Sequence, residues 1–203
     1  MSAHIEGMSN VFYWSDPHFG HRFVAGQRGF SSTDEHDDHL IAAWTSRVTK
    51  RDTVWVLGDL AMASPSRALE IIRHLPGTKH LVFGNHDNGH PGRKDAHRHH
   101  KQYLSAFETV QTTASRTIAG RTVLLSHFPY EGDSHSEHDR HTQWRLRDEG
   151  SWLVHGHVHG EFDVRGTQIN VGVDKWMDGP ASEAEILAII EHQEAAGFGT
   201  AAP

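Results

Sequence analysis

Cysteine is absent from this 203-residue chain. Its absence excludes disulfides, thiolate zinc sites and cysteine nucleophiles, and it fits a cytoplasmic protein. No apolar run approaches the roughly 20 residues that span a bilayer. The opening MSAHIEGMSN has neither the charged start nor the apolar centre of a secretory signal. A soluble, cytoplasmic protein with no membrane partner is expected. Positive charge is short as well: Lys and Arg total 19 against 26 Asp and Glu, a formal net charge of -7. Gripping long nucleic acid by general phosphate attraction needs the opposite balance. Long nucleic acid is therefore not an expected partner, and any phosphate affinity has to be local. What the chain has in excess is histidine, 20 residues of it, gathered in patches.

Short β-branched and aromatic runs recur along the chain: Val11 to Trp14, Thr53 to Leu57, Leu81 to Phe83, Thr122 to Leu125 and Trp152 to Val154. Such runs make buried strands. Helical patterns sit between them. Leu40, Ile41, Trp44 and Val48 form one apolar stripe behind an acidic first turn. Ser64 is placed to cap a helix with Pro65 at its first position and Leu69, Ile71, Ile72 and Leu75 on its buried side. Ser182 and Glu185 have the spacing of a capping box. Strands alternating with helices argue for a layered α/β fold. Without an internal repeat or linker, the expectation is one domain over 1–203, with a core of about 11–192 and a flexible tail over 193–203.

Each of the five runs leads into a small residue and then a residue able to ligate a metal: Ser15-Asp16, Gly58-Asp59, Gly84-Asn85, Ser126-His127 and, beyond His155, Gly156-His157. Any one of these is an ordinary polar turn. Layered α/β proteins build their sites where the carboxyl ends of the strands fan out, so five together point to one shared site. In the segment LVHGHVHG, histidines stand at 155, 157 and 159. An extended chain would turn all three to one side.

The blocks SDPHFGH, LGDL, GNHD, SHFP and HGHVHG, in this order, resemble the motifs of the calcineurin-like metallophosphoesterases, and most closely the small single-domain branch of bacteria and phages. The resemblance runs from about Val11 to Asp174. It implies a four-layer α/β/β/α sandwich with a dinuclear metal site at the strand ends. Asp16, His18 and His159 would hold one metal, Asn85, His127 and His157 the other, and Asp59 would bridge them. Carboxylate, amide oxygen and imidazole suit divalent transition metals, with manganese first and iron, zinc, nickel or cobalt as alternatives.

Two such ions, roughly 3.5 to 4 Å apart, clamp the attacking and leaving oxygens of a displacement at phosphorus. The implied activity is a phosphodiesterase on small substrates, such as 2',3'-cyclic nucleotides, through attack by a hydroxide bridging the metals. A phosphomonoesterase or nuclease using the same site is the alternative, and a non-catalytic scaffold is a third reading. His86 would protonate the leaving group, with Asp87 orienting its ring. His155 is expected to be buried behind the ligands. His21, Arg28, Arg93, Arg98, Arg140 and Arg145 are candidates for contacting a small, nucleotide-like phosphoester. Asn170 and Asp174, in NVGVDKW, either line the site or close a turn.

Overall fold

Successive residues of the first strand face different cores. Phe12 and Trp14 point to one side and Tyr13 to the other, all three buried, as the two-residue repeat of an extended chain requires. The computed structural model describes residues 9–199 except 63, 135 and 137. In chain order the elements are β1 (Val11–Trp14), α1 (Arg22–Gln27), α2 (Thr33–Arg47), β2 (Thr53–Val56), α3 (Ser66–His74), β3 (Thr78–Val82), α4 (His100–Tyr103), β4 (Thr109–Gln111), β5 (Ala114–Ile118), β6 (Arg121–Leu125), β7 (Trp152–His155), β8 (Val164–Arg165), β9 (Gln168–Asn170), β10 (Ala181–Ser182) and α5 (Glu183–Ala195).

Two five-stranded sheets result, ordered β10-β1-β2-β3-β4 and β5-β6-β7-β9-β8. Within the first sheet β1, β2, β3 and β4 run parallel, and within the second β6, β7 and β9 do. One core joins Phe12, Trp14, Val54, Val56 and Leu81 to Leu40 and Trp44 of α2 and Leu69 and Ile72 of α3. The other joins Tyr13 and Val82 to Val123, Leu125, Trp152, Val154 and Ile169 of the second sheet, with Ile186 and Ile190 of α5. The architecture is thus mixed α/β, with two sheets sharing one core and helices α2 and α3 packed on the first sheet.

Local chemistry sets the element ends. Ser32 caps α2 by accepting from Glu35 N at 3.1 Å. Ser182 and Glu185 form the expected reciprocal box at α5. The start of α3 differs from expectation: Pro65 is the cap residue and the helix begins at Ser66, because the Pro65 carbonyl already accepts the first helical bond from Leu69 N at 2.8 Å. β3 begins three residues before its apolar run, since the polar Lys79 and His80 are strand residues. Lys79 is buried with its ammonium donating to Leu75 O, and the His80 ring stacks on Trp55 at 4.6 Å. Helix α5 passes the expected boundary at 192 and ends at Ala195, and Glu194 receives both Nε and Nη2 of Arg121 at 2.7 Å. Residues 200–203 of the expected tail lie outside the described part.

Candidate metal centre

The strand ends bring the expected donors together, at the expense of backbone comfort. Among the described residues, seven non-glycine positions have positive φ, and five are expected ligands: Asp16 (58°), His18 (48°), Asp59 (54°), His157 (70°) and His159 (48°). Aspartate and histidine enter this left-handed region more readily than most residues. Even so, each such position costs on the order of 1 kcal/mol or more, and clustering of this kind marks a functional site. The glycines at 84 and 156, each just before a candidate ligand, are required by contact. A Cβ on Gly84 would lie 2.2 Å from Asp59 Oδ1, and one on Gly156 would lie 1.9 Å from Ser15 Oγ and 2.3 Å from Asp16 Oδ2.

Two groups of donor atoms form, each with all members within 4.8 Å of one another: Asp16, His18 and His159, and Asp16, Asp59 and His127. The His18 and His159 rings stack at 5.2 Å. His127 Nε2 lies 3.1 Å from Asn85 Oδ1 and 3.4 Å from Asp59 Oδ2, with its Nδ1 fixed on Leu57 O at 2.7 Å. The His157 ring centroid is 5.2 Å from that of His127.

The donor set fits divalent cations. Asp16 Oδ1 and both ring nitrogens of His18 are buried without a hydrogen-bond partner, a costly condition for polar atoms unless a ligand completes them. Burial holds His18 well below the ordinary histidine range and His157 down to about 3. Both therefore present the neutral imidazole that binds metals. Burial would raise Asp59, but the charge and hydrogen bond of His127 hold it far below the usual carboxylate range.

His86 stands at the mouth, its side chain 36% exposed and its Nε2 3.9 Å from Asp59 Oδ2. Asp87 does not orient that ring. Its carboxylate accepts from the backbone amides of Asp59 (3.0 Å), Leu60 (3.2 Å) and Gly84 (2.8 Å), which ties the second and third ligand loops together. The three histidines of HGHVHG do not share one side either, because the extended chain ends at His155 and the positive φ at 157 and 159 turns it. His155 is fully buried, its Nδ1 2.8 Å from Gly156 O and its ring against Phe162.

Arg28 is not free to reach a substrate. Its side chain is 2% exposed, and its guanidinium grips Asp174 in bidentate fashion at 3.1 and 2.8 Å and donates to the carbonyls of Asp16 and Pro17. Asp174 in turn lies 3.0 Å from His159 Nδ1, which the sequence alone left open. Asn170 closes a turn: its Nδ2 donates to the carbonyls of His159 and Phe162, and its Oδ1 accepts from Gly172 N.

Arg140 and Arg145 are likewise committed. Both engage Asp133, whose side chain is fully buried, and Arg145, 4% exposed, also donates to the carbonyls of Pro129, Gly132 and Arg140. Asp133 sits 3.2 Å from His157 Nε2. Sequence reasoning missed it, since a lone Asp after Gly132 in a polar stretch looks like any turn residue. His21 caps α1 through Nδ1 and keeps its ring 6.2 Å from that of His18. Arg93 and Arg98 are exposed around the short turn at Ala96–Arg98, with Arg93 4.0 Å from Asp95.

Comparison with known proteins agrees with this geometry. A family model described as "Calcineurin-like phosphoesterase superfamily domain" matches residues 29–176. The chain is 44% identical to the Gene 66 protein of Mycobacterium phage L5 over 91% of its own length and 96% of that protein. It is also 44% identical to the Gene 66 protein of Mycobacterium phage D29, over 84% and 91%. An uncharacterized protein of Methanocaldococcus jannaschii is 26% identical over 91% and 93%. The crystal structure of a protein of unknown function from Aquifex aeolicus superposes with a TM-score of 0.68 at 24% identity, covering 90% of this chain and all of that one. This last likeness concerns the fold.

Proposed function

The chain belongs to the calcineurin-like phosphoesterase superfamily, and from that premise we propose that it is a dinuclear phosphodiesterase acting on small phosphodiesters, 2',3'-cyclic nucleotides among them. Membership makes it a metal-dependent phosphoesterase in the general sense. The finer reading rests on one observation: a cluster of donors, Asp16, His18, Asp59 and His127 buried and His159 24% exposed, with a half-exposed imidazole, His86, at its opening. Asp16, His18 and His159 would hold one cation, Asn85, His127 and His157 the other, and Asp59 would serve both. Manganese is the first choice of metal. When bound, two such cations supply electrophilic assistance at a phosphoryl oxygen and lower the pKa of a water.

The remaining work falls to the chain's own residues. Asp59 Oδ1 accepts from His86 N at 2.9 Å, which fixes the backbone that carries the imidazole over the ligands. His86 Nε2 would give its proton to the departing alkoxide. A diester demands such a donor, because an alkoxide is a poor leaving group. The acidic surface would be no obstacle, since bound cations would dominate the local field. The whole chain would act as one domain.

The test is to reconstitute metal-stripped protein with Mn2+ and compare turnover of bis-p-nitrophenyl phosphate, p-nitrophenyl phosphate and 2',3'-cyclic AMP under one set of conditions. Preference for the two diesters is expected. Faster cleavage of the monoester would replace this reading with a phosphatase, and no turnover with two cations bound would remove it.

A further inference from the structure

We propose that Asp174 and Asp133 are positioning residues, two arginine-locked carboxylates that each fix the ring of one histidine in HGHVHG, Asp174 that of His159 and Asp133 that of His157. The proposal rests on the two-metal reading above and adds what aims its histidines. An imidazole that offers one nitrogen to a cation needs its other nitrogen held, or the ring rotates and the tautomer is undefined.

On the His159 side, Nδ1 lies 3.0 Å from Asp174 Oδ2. Asp174 cannot swing away, because Arg28 holds both its oxygens, and Arg28 is itself buried and pinned on the carbonyls of Asp16 and Pro17. The arginine therefore couples the backbone of one ligand, Asp16, to the ring of another, His159. The guanidinium also lies 3.0 Å from His36 Nε2, and His36 contacts Asp37, which accepts from Gly20 N and Arg67. The brace is thereby anchored in α2.

On the His157 side, Asp133 Oδ1 lies 3.2 Å from Nε2, an ion-pair contact without hydrogen-bond geometry at that buried nitrogen. Arg140 donates to this carboxylate from its backbone N at 2.8 Å and its Nε at 3.1 Å, Ser134 N donates at 2.8 Å, and Arg145 Nη2 at 3.3 Å. The two carboxylates come from unrelated segments, one following β6 and one following β9, yet both combine an arginine fork and an imidazole; Asp133 is fully buried and Asp174 is 22% exposed. Removing one member of a buried ion pair leaves its partner stranded, so each brace resists loosening by small movements. The second brace also ties Arg140 and Arg145 to His157 through Asp133, giving both arginines a purpose other than substrate contact.

The test titrates Mn2+ calorimetrically into metal-stripped wild type, Asp174→Asn, Asp133→Asn and the double variant, with unfolding midpoints measured in parallel. Each single variant is expected to weaken one of two Mn2+ equivalents by about 10- to 100-fold and to leave the other unchanged, while the double variant weakens both. Arg28→Lys, which keeps the charge and loses the fork, is expected to weaken the same equivalent as Asp174→Asn by a smaller factor. Wild-type affinity for both equivalents in the folded variants overturns the proposal. So does equal weakening of both equivalents with a lowered midpoint, the mark of a merely structural role. A wild type that takes up fewer than two Mn2+ removes the two-metal reading and this proposal with it. Two equivalents in wild type with unaffected variants removes this proposal alone.

Discussion

Adding one methyl group at position 156 should unseat Asp16, one of the proposed metal ligands. The alanine Cβ would stand 1.9 Å from Ser15 Oγ and 2.3 Å from Asp16 Oδ2, where unstrained atoms keep about 3.5 Å. Ser15 and Asp16 would have to retreat by about 1 Å or more. Ser15 Oγ would then release Leu57 O, now 2.8 Å away, and Asp16 Oδ2 would release His157 N, now 3.0 Å away. Overpacking costs about 1–3 kcal/mol and each of the two lost buried hydrogen bonds about 1 kcal/mol, so Gly156→Ala should destabilise by about 3–5 kcal/mol. At about 2–4 °C per kcal/mol for a chain of this size, the midpoint should fall by roughly 6–20 °C. Gly160→Ala is the matched control, because a Cβ there meets nothing within 4 Å. It should be neutral or stabilising by up to about 1 kcal/mol. The assay is differential scanning calorimetry of both variants, with bound Mn2+ counted by elemental analysis. If Gly156→Ala melts with wild type and retains the same metal content, the argument from close approach is wrong.

Further expectations concern single side chains. His86→Ala should cut turnover of alkyl diesters far more than of nitrophenyl esters at unchanged metal content, and equal losses on both would end its role as the acid. Asp87→Ala strips three buried amides of their acceptor, at about 1–3 kcal/mol each; urea denaturation should show a loss of at least about 3 kcal/mol, and an unchanged midpoint would contradict the tie between the loops. Trp44→Ala empties a fully buried site edge-on to Trp14 at 5.3 Å and should cost about 3–5 kcal/mol by the same method. Asp52 is held below its ordinary range: burial opposes this, but the amides of Asn10 and Thr49 and the Thr49 hydroxyl outweigh burial. Its stabilisation is therefore complete above the unfolded carboxylate pKa of about 4 and lost as pH falls through the lower folded value. Melting curves of wild type and Asp52→Asn should differ at pH 7 and converge towards pH 2, whereas a constant gap would refute the linkage.

Much of this site could be read in the chain because its signals are local. A glycine or serine before Asp16, Asp59, Asn85 or His127 reflects crowding that the neighbouring strand imposes on the next residue, and sequence order preserves it. The apolar stripe of α2 and the box at α5 were legible for the same reason. What escaped depends on partners brought together only by folding. Nothing near Arg28 in sequence announces Asp174, nor does anything near Asp133 announce His157. Asp87 adjoins His86, which invites pairing the two, yet its partners are amides across the sheet at Asp59 and Leu60. Arg145 looks solvated in the sequence because its acceptors, the buried Asp133 and the carbonyls of Pro129, Gly132 and Arg140, carry no motif. The polar start of β3 was hidden likewise, since Lys79 is buried and His80 is stacked on Trp55 by long-range packing rather than by hydropathy.

The donors also straddle a seam. Asp16 and Asp59 end strands of the first sheet, and His127, His157 and His159 follow strands of the second. The contact between His157 N and Asp16 Oδ2 joins residues 141 positions apart. A cation there behaves thermodynamically as a removable cross-link, closing one of the longest loops the chain can form. Occupancy then adds RT ln(1 + [L]/Kd) to the unfolding free energy, about 2.7 kcal/mol at a hundredfold excess over Kd. If the proposed cations bind there, the melting temperature of this protein should therefore serve as a gauge of its metal supply.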